Sequence, residues 1–430
     1  MAEKIMLFAI PGFFILMGLE LLVARLMKRR VYRLNDAINS IGLGVLSQIV
    51  GVFAKLLSIG IYAWVVQRVA LLELPLDKAW VWISALVLYD FCYYWLHRMG
   101  HEVNVLWAAH VVHHQSERYN LSTALRQTSS GVLLGWMFYL PMAVLGYPVE
   151  VFAVVAIIDL LYQYWIHTEL IGKLGWFDRV FASPSNHRAH HAVNDRYLDR
   201  NYGGILILWD RMFGSFVEED DIDKPIYGTR APLRSWNPLW ANAEVYCALL
   251  QDAWHARRWR DKLHVWVARP GWRPADVAAR FPKSEFDIQR ADYDPPVSRL
   301  MSIYCLVQFV LLLAMGVHFL QVAPTLPLLP VIVYLVFLVG SLGVTGALLE
   351  GRRRAPCVEA ARLSLLATWP LLTAQWLDGD DIPVAARMAC AAAASISLLV
   401  LLLAARRSEQ EEEGESLVAE VEQGGADAAR

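Results

Sequence analysis

The sequence predicts an all-α integral membrane protein: a transmembrane helix bundle, a histidine-rich region on its cytoplasmic side and a C-terminal four-span membrane block. Three observations carry that prediction. Of 430 residues, 57% are apolar and only 19% charged, too apolar a balance for an ordinary soluble enzyme. Several apolar runs approach the roughly 20 residues that cross a bilayer. And five of the twelve histidines fall in one stretch, HRMGHEVNVLWAAHVVHH at 97–114, directly after such a run.

The first spans read as Ile5–Met27, Ile41–Val69 and Ala79–Leu96. The N-terminal run lacks a small-residue cleavage site, so it reads as a retained span rather than a signal peptide. Next comes a hairpin-like pair, about Val132–Leu145 and Val149–Gln163, split at Gly146-Tyr147-Pro148. Each half is short for a full crossing, which leaves a re-entrant hairpin and two spans equally open. The second block has runs at Leu300–Leu320, Leu326–Leu349, Ala360–Leu377 and Val384–Ala404.

Orientation follows from the positive-inside rule. Lys28, Arg29, Arg30 and Arg33, then Arg352–Arg354, then Arg406 and Arg407 all fall on one side if the crossings alternate, and that side is the cytoplasmic one. The histidines that close the third span then face the cytoplasm. A net charge of −2 gives no reason to expect nucleic acid or another polyanion as partner. The five cysteines are scattered without a CxxC pair, which argues against disulfides and thiolate zinc sites.

These readings divide the chain into five parts: transmembrane helices over 1–96, a histidine-cluster region over 97–216 containing the hairpin 132–163, a cytoplasmic or interfacial segment over 217–297, the second membrane block over 298–405, and an acidic tail over 406–430 expected to be disordered. Within the third part, Trp240–Trp266 alternates aromatic and basic residues. It reads as a helix lying on the membrane interface or as a solvated amphipathic helix.

His97 and His101 are four apart and share a helix face, as do His110, His113 and His114 at spacings of three and four. At about 100° per residue, an unbroken helix would carry His110 some 220° round from His97, so the chain must bend between them, near Asn104. His187, His190 and His191 repeat the second spacing, and His167 ends the apolar hairpin. One histidine at a helix end is ordinarily a core or interfacial residue. Three clusters with matched spacings on one side of a bilayer are not, and nine neutral imidazoles suffice for two metal ions. Imidazole suits zinc, copper, iron and nickel alike, so a di-metal domain follows from the residues but the metal does not. His255, His264 and His318 have no such partners and read as structural.

The clusters resemble those of the fatty acid hydroxylase/sterol desaturase superfamily. The segments HRMGHEVNVLWAAHVVHHQSERYNLSTALRQ, LLYQYWIHTE, SPSNHRAHH and NYGG followed by ILILWDRMFGSF, with RPGWRP and DPPVSRLMSIYCLVQF further on, are similar to its glyceryl-ether-cleaving branch. Asn186 departs from that likeness, which has a histidine there; the spacing of the cluster histidines is intact.

The resemblance implies two irons held by His97, His101, His110, His113, His114, His167, His187, His190 and His191. It implies hydroxylation of the carbon next to the ether oxygen of an alkylglycerol, with molecular oxygen and with tetrahydrobiopterin or a separate electron-transfer protein as donor. The alternative within the superfamily is a sterol, fatty acid or carotenoid hydroxylase or desaturase fed by ferredoxin or cytochrome b5. Outside it stands a zinc-binding membrane transporter or structural protein. By chemistry, Glu102, Glu169 and Asp210 are candidate carboxylate partners of the imidazoles, Glu102 and Asp210 being the catalytic candidates. Asp90, seven residues before His97, lies on nearly the same helical face. Tyr202 with Gly203 and Gly204 reads as a turn near the site, and Arg126 and Gln127 as contacts for a polar headgroup.

Overall fold

The computed structural model describes residues 2–378 and 381–428, with side chains placed for 9–52, 57–378 and 381–406. Every regular element among the described residues is helical, apart from isolated backbone bridges. The chain divides into two compact units: Met1–Arg234 with Trp240–Asp292, and Ser235–Leu239 with Tyr293–Arg430.

In the first unit, α1 (Ala2–Leu26) and α3 (Ala79–Glu102) are each long and apolar enough to cross a membrane. Between them, α2 (Leu34–Val69) qualifies as two segments, Leu34–Val52 and Leu57–Val69, bent by 50°. Their outer faces leave Ile15, Leu22, Trp64 and Ile83 more than half exposed, which water would penalise and lipid would not. Inward, Tyr62, Val81, Ala85, Tyr89 and Cys92 form one apolar core with Met142, Val151 and Val155.

The bend required between His97 and His110 is present. Helix α3 stops at Glu102, Val103 is extended, and α4 (Asn104–Ala108) sets off anew. Asn104 fixes the break, its backbone N–H donating to Ala268 O (2.9 Å) and its side-chain amide to Val265 O (2.8 Å). Two one-turn helices follow, α5 (Val111–His114) and α6 (Leu121–Ala124), the latter closed by a capping box between Asn120 and Thr123.

The first hairpin arm is broken into α7 (Gly131–Gly135), a 3₁₀ turn and α8 (Leu140–Leu145). It reverses at Gly146, where φ is +91° and a side chain would run into the Leu72 carbonyl. The second arm, α9 (Val149–Trp165), has 17 residues, about 26 Å of helix against a hydrocarbon core of about 30 Å. Short helices α10 (Phe177–Val180), α11 (Pro184–His190) and α12 (Leu208–Phe213) come next. The aromatic–basic stretch is two helices rather than one, α13 (Pro238–His255) and α14 (Trp259–Val267), followed by α15 (Ala275–Arg280). Leu249 and Val265 turn inward onto Ala108, while Trp254 and Trp259 stay exposed.

The second unit holds α16 (Arg299–Val322), α17 (Leu328–Leu349), α18 (Ala355–Thr373) and α19 (Val384–Ala428). Three of these are long and apolar enough to cross a membrane. Helix α18, where the sequence places a fourth span, is not among them; it carries Glu359, Arg362 and an internal Pro370. The backbone of α19 runs on as helix through the acidic tail, where composition predicts disorder; its Ala and Glu residues are good helix formers. The tail side chains, 407–430, lie outside the described residues.

Candidate metal centre

All nine cluster histidines converge, and they sort into two groups that cut across the clusters. His97, His101, His110, His114 and His190 form one; His113, His167, His187 and His191 form the other. Within each group the facing ring nitrogens all lie within 4.8 Å of one another. Helix geometry explains the sorting. In each HxxHH triplet the first and last rings differ by about 40° in azimuth, whereas the two adjacent ones differ by about 100°. His110 and His114 thus face one way and His113 the other; His187 and His191 pair off from His190. The groups adjoin, since the rings of His114 and His191 stack at 4.3 Å.

Tautomers follow from the hydrogen bonds. Nδ1 of His97 meets Tyr202 O (2.8 Å), that of His113 meets Arg126 O (2.9 Å), that of His167 meets Gln163 O (2.7 Å) and that of His190 meets Arg200 O (2.8 Å). A carbonyl only accepts, so each Nδ1 carries the hydrogen and each Nε2 presents a bare lone pair. The Nε2 atoms of His113 and His167 then face each other lone pair to lone pair at 3.2 Å. No hydrogen bond relieves that contact. A cation does: metal–nitrogen bonds of about 2.1 Å at right angles put two nitrogens about 3.0 Å apart. In the other group, Nε2 of His97, His101 and His190 are buried without any partner. Orphaned, converging imidazole nitrogens fit metal ligation, and the donor set is all nitrogen.

Electrostatics prepare the same state. Burial pushes the His113 imidazole down to about 4. It also holds His110, His114, His167, His187, His190 and His191 well below the usual imidazole range, with neighbouring histidines adding to the effect. Neutral rings at pH 7 are the metal-binding form.

Backbone carbonyls orient four of the imidazoles, while Nδ1 of His101 lies 3.7 Å from an Asp199 carboxylate oxygen; buried side chains brace the Tyr202 and Arg126 segments in turn. Asp210 accepts from Tyr202 N (2.8 Å), Gly203 N (2.7 Å) and Ser215 Oγ (2.7 Å), so it reaches His97 through the Tyr202 carbonyl without touching a ring. Asp90 acts alike on the next residues, accepting from Ile205 N, Leu206 N and the Trp209 indole. The two glycines between them are required by space. A side chain on Gly203 would meet Leu206 O at 2.5 Å, and one on Gly204 would meet Tyr93, Asp159 and Asp90 within 3.0 Å.

Arg126 corrects the headgroup reading. It is fully buried and donates to Val112 O (2.7 Å) and Asn39 Oδ1 (2.7 Å), locking the residue before His113 while its own carbonyl holds the His113 ring. Gln127 likewise bonds within the chain, to Ala124 O. Glu102 pairs with Arg98 (2.9 Å) and Arg269 (3.3 Å), and Glu169 with Arg29 (3.0 Å), so neither hydrogen-bonds an imidazole. Asn186 donates to Asp178 O and Phe181 O and braces the start of α11. His255 and His264 lie against Phe281 and Trp272 and belong to neither group, and His318, in the second unit, lies against Tyr334.

The fatty acid hydroxylase family model matches residues 82–215, the stretch that contains every ligand candidate. Alkylglycerol monooxygenase of Xenopus tropicalis is 37% identical over 356 residues, 82% of this chain and 79% of that protein. The Homo sapiens protein of the same name is 37% identical over 357 residues, 82% and 80%. An ornithine lipid hydroxylase of Rhizobium tropici is 33% identical over 142 residues, 31% of this chain and 41% of that one. No solved structure matches the chain. A buried all-imidazole centre inside the matched segment, with likeness to these relatives extending far beyond it, makes the chain a member of the alkylglycerol monooxygenase family of fatty acid hydroxylase domain proteins.

Proposed function

We propose that the chain is a membrane monooxygenase of ether lipids, with two irons, one in each histidine group, and its centre on the cytoplasmic side. The observation that carries this reading is the pair of adjoining imidazole groups in a chain 37% identical to alkylglycerol monooxygenases over four-fifths of its length. Iron in these groups would supply the power to reduce oxygen and oxidise a C–H bond.

The balanced reaction is R–CH2–O–R′ + O2 + 2e⁻ + 2H⁺ → R–CH(OH)–O–R′ + H2O. The hemiacetal then separates into a fatty aldehyde and a glycerol derivative. The chain's own residues aim nine rings inward, and the carbonyls of Tyr202, Arg126, Gln163 and Arg200 keep four of them from turning. The cytoplasmic placement rests on the cationic runs after the first span and around the second block. Tetrahydrobiopterin is the electron donor of this reading; a ferredoxin or cytochrome b5 donor belongs to the alternative, hydroxylation of another lipid.

Oxygen uptake and aldehyde release from an alkylglycerol, with tetrahydrobiopterin or with reduced ferredoxin, test both. Aldehyde with the pterin is the expected result. A hydroxylated lipid without cleavage, or no oxygen uptake with either donor, would overturn the reading.

A further inference from the structure

Helices α13 and α14 meet at a corner that neither histidine group uses. Helix α14 turns Val265 inward, onto Ala108 and Leu249. Trp259, Leu263 and Val267, four residues apart, form a ridge about 160° round from Val265, and each is more than three-fifths exposed. On α13, Leu250 and Trp254 share a face in the same way, with Trp254 81% exposed. Lys262 closes the corner. Its ammonium donates to Ala253 O and Trp254 O, each at 2.9 Å, and lies 5.7 Å from the Trp259 ring centre. Water penalises so many large apolar side chains standing together.

Between the two indoles stand Arg257, Arg258 and Arg260, all exposed. The carboxylates packed nearby are already taken, Asp252 by Arg273 (2.8 Å) and Asp276 by Arg280 (3.1 Å). Asp261 alone opposes Arg257, Arg258, Arg260 and Lys262, which leaves the corner an excess of three positive charges.

The depth of the corner follows from α3. That helix is long and apolar enough to cross a membrane, and its last turn carries Arg98 and Glu102, so it ends among headgroups. Two residues on, Asn104 bonds Val265 O and Ala268 O, and Arg269 pairs with Glu102 (3.3 Å). Helix α14 is thereby held at the level where the span ends.

We infer that the α13–α14 corner docks on an anionic phospholipid surface. Trp254, Trp259, Leu263 and Val267 enter the boundary between headgroups and acyl chains, and the three arginines face the negative charge of the lipids. Depth and apolar ridge select a bilayer; the positive excess selects an anionic one. Because α14 also holds Asn104, the docked corner braces the break that separates His97 from His110. The surface is independent of the reaction at the centre.

Hydroxyl-radical footprinting read by mass spectrometry reports each indole separately. The test uses the full-length protein in nanodiscs of phosphatidylcholine, alone or with phosphatidylserine added. We expect oxidation of Trp254 and Trp259 to fall at least about threefold when phosphatidylserine is present, and high salt to restore it. Replacing the arginines together, Arg257→Gln, Arg258→Gln and Arg260→Gln, should abolish the fall while metal content, which a misfolded chain would lose, stays at wild type. Should that variant misfold, the lipid and salt arms on the wild-type chain decide alone. Equal oxidation in both lipids, or protection that the triple variant keeps, would overturn the proposal. So would protection seen only with two chains per disc, which would make the occupant a second copy.

Discussion

The two units place polar groups in opposite ways. In the first, Asp210, Asp90, Arg126 and nine histidines crowd around one centre, and many of their bonds run to backbone atoms, some a few residues away and some more than a hundred. In the second, one buried knot joins three helices: Arg362 bonds Glu359 (2.7 Å) and Gln308 (2.7 Å), Gln308 bonds Ser397 (3.0 Å), and Tyr304 bonds Glu359, tying α16, α18 and α19 together, while His318, Tyr334 and Trp376 form another polar cluster beside Asp378. That knot has no unsatisfied atom among the described residues, whereas the first unit keeps three imidazole nitrogens orphaned. A closed network holds helices together; an open one waits for something to bind. The contrast sets the candidate metal centre of the first unit apart from the helix-joining network of the second.

The contrast breaks most readily at the ligands. His113→Ala and His190→Ala, one from each group, should each lower turnover at least about a hundredfold and remove the metal of their own group, while His318→Ala in the second unit does neither; activity assays with elemental analysis check this. Next in size is Arg362→Met. Removing it strands Glu359 in an apolar interior and should cost the second unit about 3–5 kcal/mol, read as a lower Tm, with metal content unchanged. Loss of metal would show that the second unit also supports the centre.

Asp210→Ala leaves two backbone N–H groups and a hydroxyl without their acceptor. It should cost about 3 kcal/mol and weaken metal binding about tenfold through His97. A pH titration of metal-free protein sharpens the same point. Burial lowers the His113 pKa to about 4 in the folded chain against an unperturbed value of about 6.5, so between those values the unfolded chain binds more protons. Stability is therefore fully present above pH 6.5 and is lost as pH falls toward 4, a trend that metal loading should suppress. Glu102→Gln is the smallest change. Glu102 pairs with a partly buried Arg98 and an exposed Arg269 and meets no imidazole, so activity should shift less than about twofold. A large fall with metal retained would give Glu102 a part in the chemistry.

Much of the centre was legible because histidine spacing is a local property. The three clusters, the break at Asn104 and the isolation of His255, His264 and His318 all follow from counting residues around a helix. The partition into two groups was also within reach, since HxxHH sends adjacent rings about 100° apart. What sequence could not supply were the Nδ1 partners. Four of them are carbonyls of Tyr202, Arg126, Gln163 and Arg200, and a carbonyl leaves no mark on residue identity. The carboxylates nearest in sequence, Glu102 and Glu169, lie where arginines reach them first.

The central claim is that each histidine group holds one iron. Elemental analysis of the purified full-length protein tests it most directly. The account predicts about two irons per chain with little zinc; fewer than one iron, or zinc alone, would contradict it.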